Sequence, residues 1–221
     1  MKKLFISIFL ISVFGQNCFG QNELEICASQ YDKDIQNYLA NKDSANAKDK
    51  LDSSQLSWKT CLMTKHIPAI SLKSISGKTV EIGKDTGKVY VLQFWASWCP
   101  PCMAEIPVLN KLALEYRNKG VEFITLAFNK SVEASLANRF KTVLVSDCAA
   151  LSKTLGVLAY PTIYVISTDL KITTVLMGAS NTDNNDLYFS LKNSIDREIL
   201  THLLLPTKVF AKAGLDNVTS A

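Results

Sequence analysis

Val89-Tyr-Val-Leu-Gln93-Phe-Trp95-Ala-Ser-Trp98-Cys99-Pro100-Pro101-Cys102-Met-Ala-Glu105-Ile-Pro107 is the stretch on which the reading of this chain turns. From Lys88 to Ala96 it is almost continuously apolar, the pattern of a strand buried on both faces. Two prolines follow, at the first positions of a helix expected from Pro100 to about Lys119. A missing N–H is no loss there, and Gly120 ends the helix. A strand–CxxC–helix unit puts Cys99 at a helix N-terminus, among unpaired N–H groups and the positive end of the dipole. Both favour thiolate, so its pKa is expected below that of a free cysteine. Such a thiolate attacks a partner disulfide, and Cys102, one turn further in, displaces the partner.

Strands alternate with helices on both sides of this unit, which predicts an α/β domain over 67–205. Short strands are expected at Ile67–Ser71 and Thr79–Ile82, around Ser74-Ile-Ser-Gly77. A buried strand is expected at Val121–Phe128 and a short helix at Ser131–Phe140. A strand at Thr142–Val145 follows, then a helix capped by Ser146-Asp147 and running to Leu155. Thr162–Ile166 and Lys171–Met177 read as adjacent strands joined by Ser167-Thr168-Asp169. A last helix spans Thr182 to about Leu205, and 206–221 reads as a loosely ordered tail.

Upstream, 21–66 reads as a helical hairpin. Leu24, Ala28, Tyr31, Ile35, Tyr38 and Leu39 share one helical face, Asn41–Lys50 is a polar turn, and Leu51, Trp58 and Leu62 share the face of a second helix. Cys27 and Cys61 lie symmetrically about residue 44, so folding the hairpin there brings them level. A structural disulfide between them is expected; the alternative is two separate small core residues.

The first twenty residues have the form of a signal peptide. Lys2 and Lys3 precede an apolar run, Leu4–Phe14, of 11 residues, and small residues precede a cut expected after Gly20. A membrane span needs about 20 residues; an uncleaved anchor or a lipoprotein cut before Cys18 are the alternatives. Export, most simply to a periplasm, makes disulfides durable. Cleavage leaves five of the six cysteines, so at least one stays unpaired within a monomer. Cys148 is that candidate, either a buried thiol or one whose pKa a helix start lowers.

Composition narrows the rest. The 221 residues are 48% hydrophobic and 20% charged, which is ordinary for a globular chain. The net charge is +4, half of it from Lys2 and Lys3, and no basic block stands out, so nucleic acid is not an expected partner. Zinc needs two further ligands at suitable spacing. The other cysteines are scattered and the histidines are His66 and His202 alone, so no metal is expected. Haem attachment needs His after the second cysteine, where Met103 stands. A purely structural Cys99–Cys102 bridge leaves Trp95, Trp98 and the double proline unexplained.

Phe94-Trp-Ala-Ser-Trp-Cys-Pro-Pro-Cys102, with Glu105-Ile-Pro107 after it and Tyr160-Pro161-Thr162 before a strand, resembles the thioredoxin superfamily, in its exported TlpA/ResA-like branch. The likeness covers roughly residues 67–200. It implies a thioredoxin-like fold, a central mixed sheet flanked by helices, here with an N-terminal helical extension. It implies a protein-disulfide oxidoreductase with no organic cofactor, Cys99 as nucleophile and Cys102 as resolving thiol. Pro161 matches the family's cis-proline, against which the cysteines lie; the alternative is an ordinary strand-start proline. Tyr160 then offers backbone groups to a bound peptide, and Trp98, Pro100 and Pro101 form the surface around Cys99. Glu105 follows Cys102 by one helical turn and, if partly buried, takes the Cys102 proton. Gln93 stands where cytosolic thioredoxins carry an acid, which leaves Glu105 as the nearby acid; the alternative is an exposed first-turn glutamate. The branch implies exported protein thiols and disulfides as partners, apocytochrome c among them, a membrane electron donor, and reduction as the direction. An oxidant or isomerase would use the same residues, and a polypeptide-binding chaperone would not need Cys99. Asn129–Val145 is short for the branch, and 21–66 is not part of its common domain.

Overall fold

The computed structural model describes residues 22–42, 46–83, 86–178 and 184–204. The expected signal peptide at 1–20 and tail at 206–221 lie outside the described residues. Strand β3 (Val89–Trp95) is buried along its whole length because it has neighbours on both edges and helices on both faces. It pairs in parallel with β4 (Val121–Ala127) and antiparallel with β6 (Thr162–Ile166). Outside these, β5 (Val143–Val145) runs parallel to β4 and β7 (Ile172–Met177) antiparallel to β6. The five-stranded mixed sheet has the order β5-β4-β3-β6-β7. A separate antiparallel pair, β1 (Ile70–Lys73) and β2 (Thr79–Ile82), packs beside it.

Side chains alternate across a strand, so the two faces of β3 meet different partners. Val89 and Val91, with Ile163 and Val165 from β6, pack against α3 (Pro100–Glu115) and α6 (Asn184–Leu204) through Leu109, Leu112, Leu191 and Ile195. Gln93 and Trp95 continue that face toward the start of α3. Tyr90, Leu92 and Phe94, with Tyr164 and Ile166, share the opposite core with α1 (Glu23–Ala40) and α2 (Ala47–Leu62). Leu24, Cys27, Tyr31, Trp58 and Leu62 are the hairpin's contribution, and Tyr31 stacks on Trp58 at 5.4 Å.

The hairpin is fixed at three levels. Asn22 caps α1 by accepting from the N–H groups of Leu24 and Glu25, while its own amide donates to the Thr154 carbonyl at 2.9 Å. Trp58 Nε1 donates to the Gly156 carbonyl at 3.0 Å. Cys27 and Cys61 are bonded, with S–S 2.00 Å and Cα atoms 5.6 Å apart. They stand 34 residues apart, and closing a loop of that length restricts the unfolded chain by about 3–4 kcal/mol.

Several local expectations need correction. Ser146 and Asp147 do not cap a helix. Helix α5 (Ala149–Thr154) begins after Cys148 with no side-chain cap, because Asp147, at φ 61°, donates its N–H to the Asn129 carbonyl and Cys148 donates to that of Ala127. The expected helix at 131–140 contracts to the single turn α4 (Ala134–Ala137). The first strand starts at Ile70 rather than Ile67, whose N–H is drawn to the Leu170 carbonyl in the β6–β7 turn. Helix α3 ends at Glu115, and Leu39 of α1 is exposed, since the buried face of that helix stops near Ile35.

Candidate functional site

The site forms where β3 hands the chain to α3. Ser97 is held there by its N–H, which donates to Asn129 Oδ1 at 2.8 Å just beyond β4. Cys99 is the N-cap of α3, in extended geometry, and its Sγ accepts from the Cys102 N–H at 3.2 Å. Pro100 and Pro101 occupy the next two positions, exposed, and use none of the donors at the helix start. Cys99 and Cys102 are disulfide-bonded, with S–S 2.08 Å and Cα atoms 5.3 Å apart. Cys102 is fully buried and Cys99 is 4% exposed.

Aromatic side chains flank the disulfide. Trp98 is 62% exposed and meets Phe128 and Tyr160 edge-on, each at 6.2 Å between ring centroids. Phe128 and Tyr160 close the triangle at 5.7 Å. Phe128 escaped the sequence reading because it reads as the last residue of a buried strand; β4 ends at Ala127, which leaves it 40% exposed at the sheet's end. The Tyr160–Pro161 bond is cis, and Tyr160 packs against the cluster that holds both cysteines. Among the described residues, no hydrogen bond takes up the backbone N–H or C=O of Tyr160. Trp95 lies in the same cluster, fully buried against Phe140, and its indole N–H has no partner among the described residues.

Glu105 is 4% exposed rather than on the helix surface. The Gln93 amide donates to its Oε2 at 3.1 Å. Burial pushes its pKa up to about 7, and the Gln93 bond offsets part of that rise. Gln93 Oε1 accepts from the Thr125 hydroxyl at 3.4 Å, and the Thr125 and Thr142 hydroxyls are bonded at 2.7 Å. Gln93 thus links the acid to a polar line that crosses the sheet from β3 to β4 and ends near β5.

Cys148 is a free, buried thiol. Burial, and after it the Asp147 charge, pushes its pKa up to about 12. A helix start does not activate it: α5 is six residues long and buries the sulfur at its N-cap. Among the described residues, no group of three or more His, Cys, Asp or Glu side chains is placed to hold a metal ion, and no helix is long and apolar enough to cross a membrane.

A cysteine pair at a helix start, with a buried acid one turn on, can exchange disulfides. Comparison with known proteins agrees with that chemistry. The family model described as Redoxin matches residues 63–191. The thiol-disulfide oxidoreductase ResA of Bacillus thuringiensis subsp. konkukian is 30% identical over 130 residues, 56% of this chain and 75% of the relative. The thioredoxin-like protein YneN of Bacillus subtilis is 30% identical over 105 residues, 45% of this chain and 62% of the relative. Among solved structures, a thioredoxin-family thiol:disulfide interchange protein of Chlorobium tepidum superposes with a TM-score of 0.50 at 20% identity, over 61% of this chain and 96% of that one.

Proposed function

The chain belongs to the Redoxin family, as a TlpA/ResA-like thiol–disulfide oxidoreductase of thioredoxin fold, and from that premise we propose that Cys99 and Cys102 reduce disulfides in exported proteins. The observation that carries this reading is the Cys99–Cys102 disulfide at the start of α3 with Glu105 buried one turn beyond it.

The reaction starts from the dithiol. The Cys99 thiolate, favoured by the Cys102 N–H that points at its sulfur and by the dipole of α3, attacks one sulfur of the partner's disulfide and expels the other as a thiolate. Glu105, as carboxylate, takes the Cys102 proton. A pKa about 7 suits this transfer near neutral pH, because a stronger acid would hold a proton poorly. The Cys102 thiolate then attacks Cys99 Sγ, breaks the mixed disulfide and releases the second partner thiolate. Two electrons have passed to the partner, the enzyme carries the disulfide seen here, and the proton on Glu105 leaves with the product thiol or to solvent. A membrane electron donor returns the two electrons. Pro161 and Tyr160 line the approach to Cys99; the unengaged backbone of Tyr160 is free to pair with an extended segment of the partner. Trp98, Pro100 and Pro101 supply the exposed surface on which that segment rests.

Export is supported by the Lys2-Lys3 start with its short apolar run and by the Cys27–Cys61 disulfide. That bond lies outside the CxxC, and structural bonds of this kind are durable in oxidising compartments and rare in reducing ones.

The reduction potential of Cys99/Cys102, equilibrated against glutathione or dithiothreitol with Cys99→Ser as control, tests the direction. A value near that of thioredoxin, about −270 mV, supports a reductase, and one near about −120 mV makes the protein an oxidant.

A further inference from the structure

We propose that Thr125 is a positioning residue for Glu105, acting through Gln93. The inference rests on the reading of Glu105 as the proton acceptor of Cys102. Its physical basis is the direction of three hydrogen bonds.

A threonine hydroxyl has one proton. Thr125 donates its own to Gln93 Oε1, so the 2.7 Å bond to Thr142 must carry the Thr142 proton toward Thr125. With its carbonyl so engaged, the Gln93 amide turns its NH2 to Glu105 Oε2 at 3.1 Å. Every donor in the line Thr142, Thr125, Gln93 therefore points toward the carboxyl. Gln93 and Thr125 are each 1% exposed, so no bulk water can replace a lost partner. Thr142 is half-buried and lines a cleft of about 400 Å³ between the β1–β2 turn and β5, where the line reaches solvent.

The line acts on one ionisation state. An amide whose oxygen accepts a hydrogen bond is polarised and becomes a stronger N–H donor. A bond to a carboxylate is about twice as strong as one to a neutral acid, so the added polarisation favours the ionised form. No other group competes. Facing Glu105 are neutral Gln93 from β3 and Cys102 from its own helix, and no charged side chain among the described residues shifts it. Removing the Thr125 hydroxyl leaves the amide oxygen without a partner and weakens its hold on the carboxylate, while the packing volume stays the same in valine.

The test is a 13C-carboxyl NMR titration of the full chain, with Glu105→Gln identifying the Glu105 signal. Thr125→Val is expected to raise the Glu105 midpoint by several tenths of a pH unit. Thr125→Ser, which keeps the hydroxyl, stays at the wild-type midpoint. Thr142→Val, at a half-buried site that tolerates the change, gives a smaller rise and serves if Thr125→Val does not fold. An unmoved midpoint in Thr125→Val overturns the proposal, as does an equal rise in Thr125→Ser, which would trace the effect to packing. The pH profile of disulfide exchange separates this from the reading beneath it. If Glu105→Gln keeps the wild-type profile, Glu105 is not the proton acceptor, whatever the NMR midpoints show.

Discussion

Glu105 holds its carboxyl in a core that favours the neutral acid, and this leaves a mark on stability. Its folded pKa is about 7 against an ordinary value of 4.5. Between those two pH values the folded state binds the extra proton and the unfolded state does not. The contribution of this group to stability is therefore largest below about pH 4.5, falls as pH rises from there through 7, and stays lower above it. At about 1.4 kcal/mol per pKa unit the ionised carboxyl costs up to about 3 kcal/mol. Glu105→Gln removes the charge and keeps the shape. It is expected to unfold at higher denaturant than wild type at pH 8 and to match it at pH 4.5, with disulfide exchange slowed at pH 8 and little changed at pH 4.5, where the wild-type carboxyl is itself protonated. A variant as sensitive to pH as wild type would place the titration elsewhere. The sequence showed the spacing that sets Glu105 one turn from Cys102. The spacing alone does not give the burial, since a lone acid near a helix start more often faces water; the resemblance implied a partly buried carboxyl, and the structure buries it further. Gln93 at the level of Glu105 was legible as a neutral residue in a buried strand, whereas Thr125 and Thr142 were not, since their roles depend on the register of β4 against β3 and β5.

The hairpin of α1 and α2 meets the α5–β6 connection at a single glycine. Gly156 has φ +74°, and a Cβ built there would lie 2.6 Å from the Leu24 carbonyl and 3.1 Å from the Leu62 side chain. Gly156→Ala must therefore bear the left-handed strain, about 1–2 kcal/mol, and also push α1 outward. That displacement stretches the Trp58 bond to the Gly156 carbonyl. Gly77, at φ +82° with nothing within 4 Å, isolates the strain alone. Gly156→Ala is expected to lose more thermal stability than Gly77→Ala and to raise hydrogen exchange in α1 and α2, which Gly77→Ala leaves unchanged. Equal losses in the two variants would mean that the hairpin does not press on Gly156. Apolar spacing made both helices readable, because each keeps one face on the core. The turn at 146–148 and the stub α4 were misread for the same physical reason. The N–H groups of Asp147 and Cys148 go to the Asn129 and Ala127 carbonyls, while Asn110 of α3 donates to the Arg139 carbonyl and accepts from the Lys141 N–H, and pairing over such distances in sequence has no local signature.

At the scale of the whole molecule, the family match and the folding unit have different edges. The Redoxin match begins at residue 63, just past α2, which would make the hairpin an appendage. The core says otherwise. Leu24, Tyr31, Trp58 and Leu62 are each no more than 4% exposed, and they share one cluster with Tyr90, Leu92, Phe94 and Tyr164 from the sheet. Burying side chains of this kind contributes about 1.5–3 kcal/mol each, so the four together reach about 6–12 kcal/mol. The stability of an entire domain is about 5–15 kcal/mol. Removing the hairpin also exposes the sheet's aromatic face, a patch that soluble monomers rarely show. A chain beginning at residue 63 is therefore expected to lose cooperative thermal unfolding and to bind a hydrophobic dye, although Cys99, Cys102 and Glu105 are all present in it. Calorimetry of the shortened and full chains decides the matter. A sharp transition near the full-length midpoint would make the hairpin dispensable and leave its apolar face to be explained by something other than the core. Loss of the transition, with exchange activity lost alongside it, would make the hairpin part of the fold that positions the disulfide.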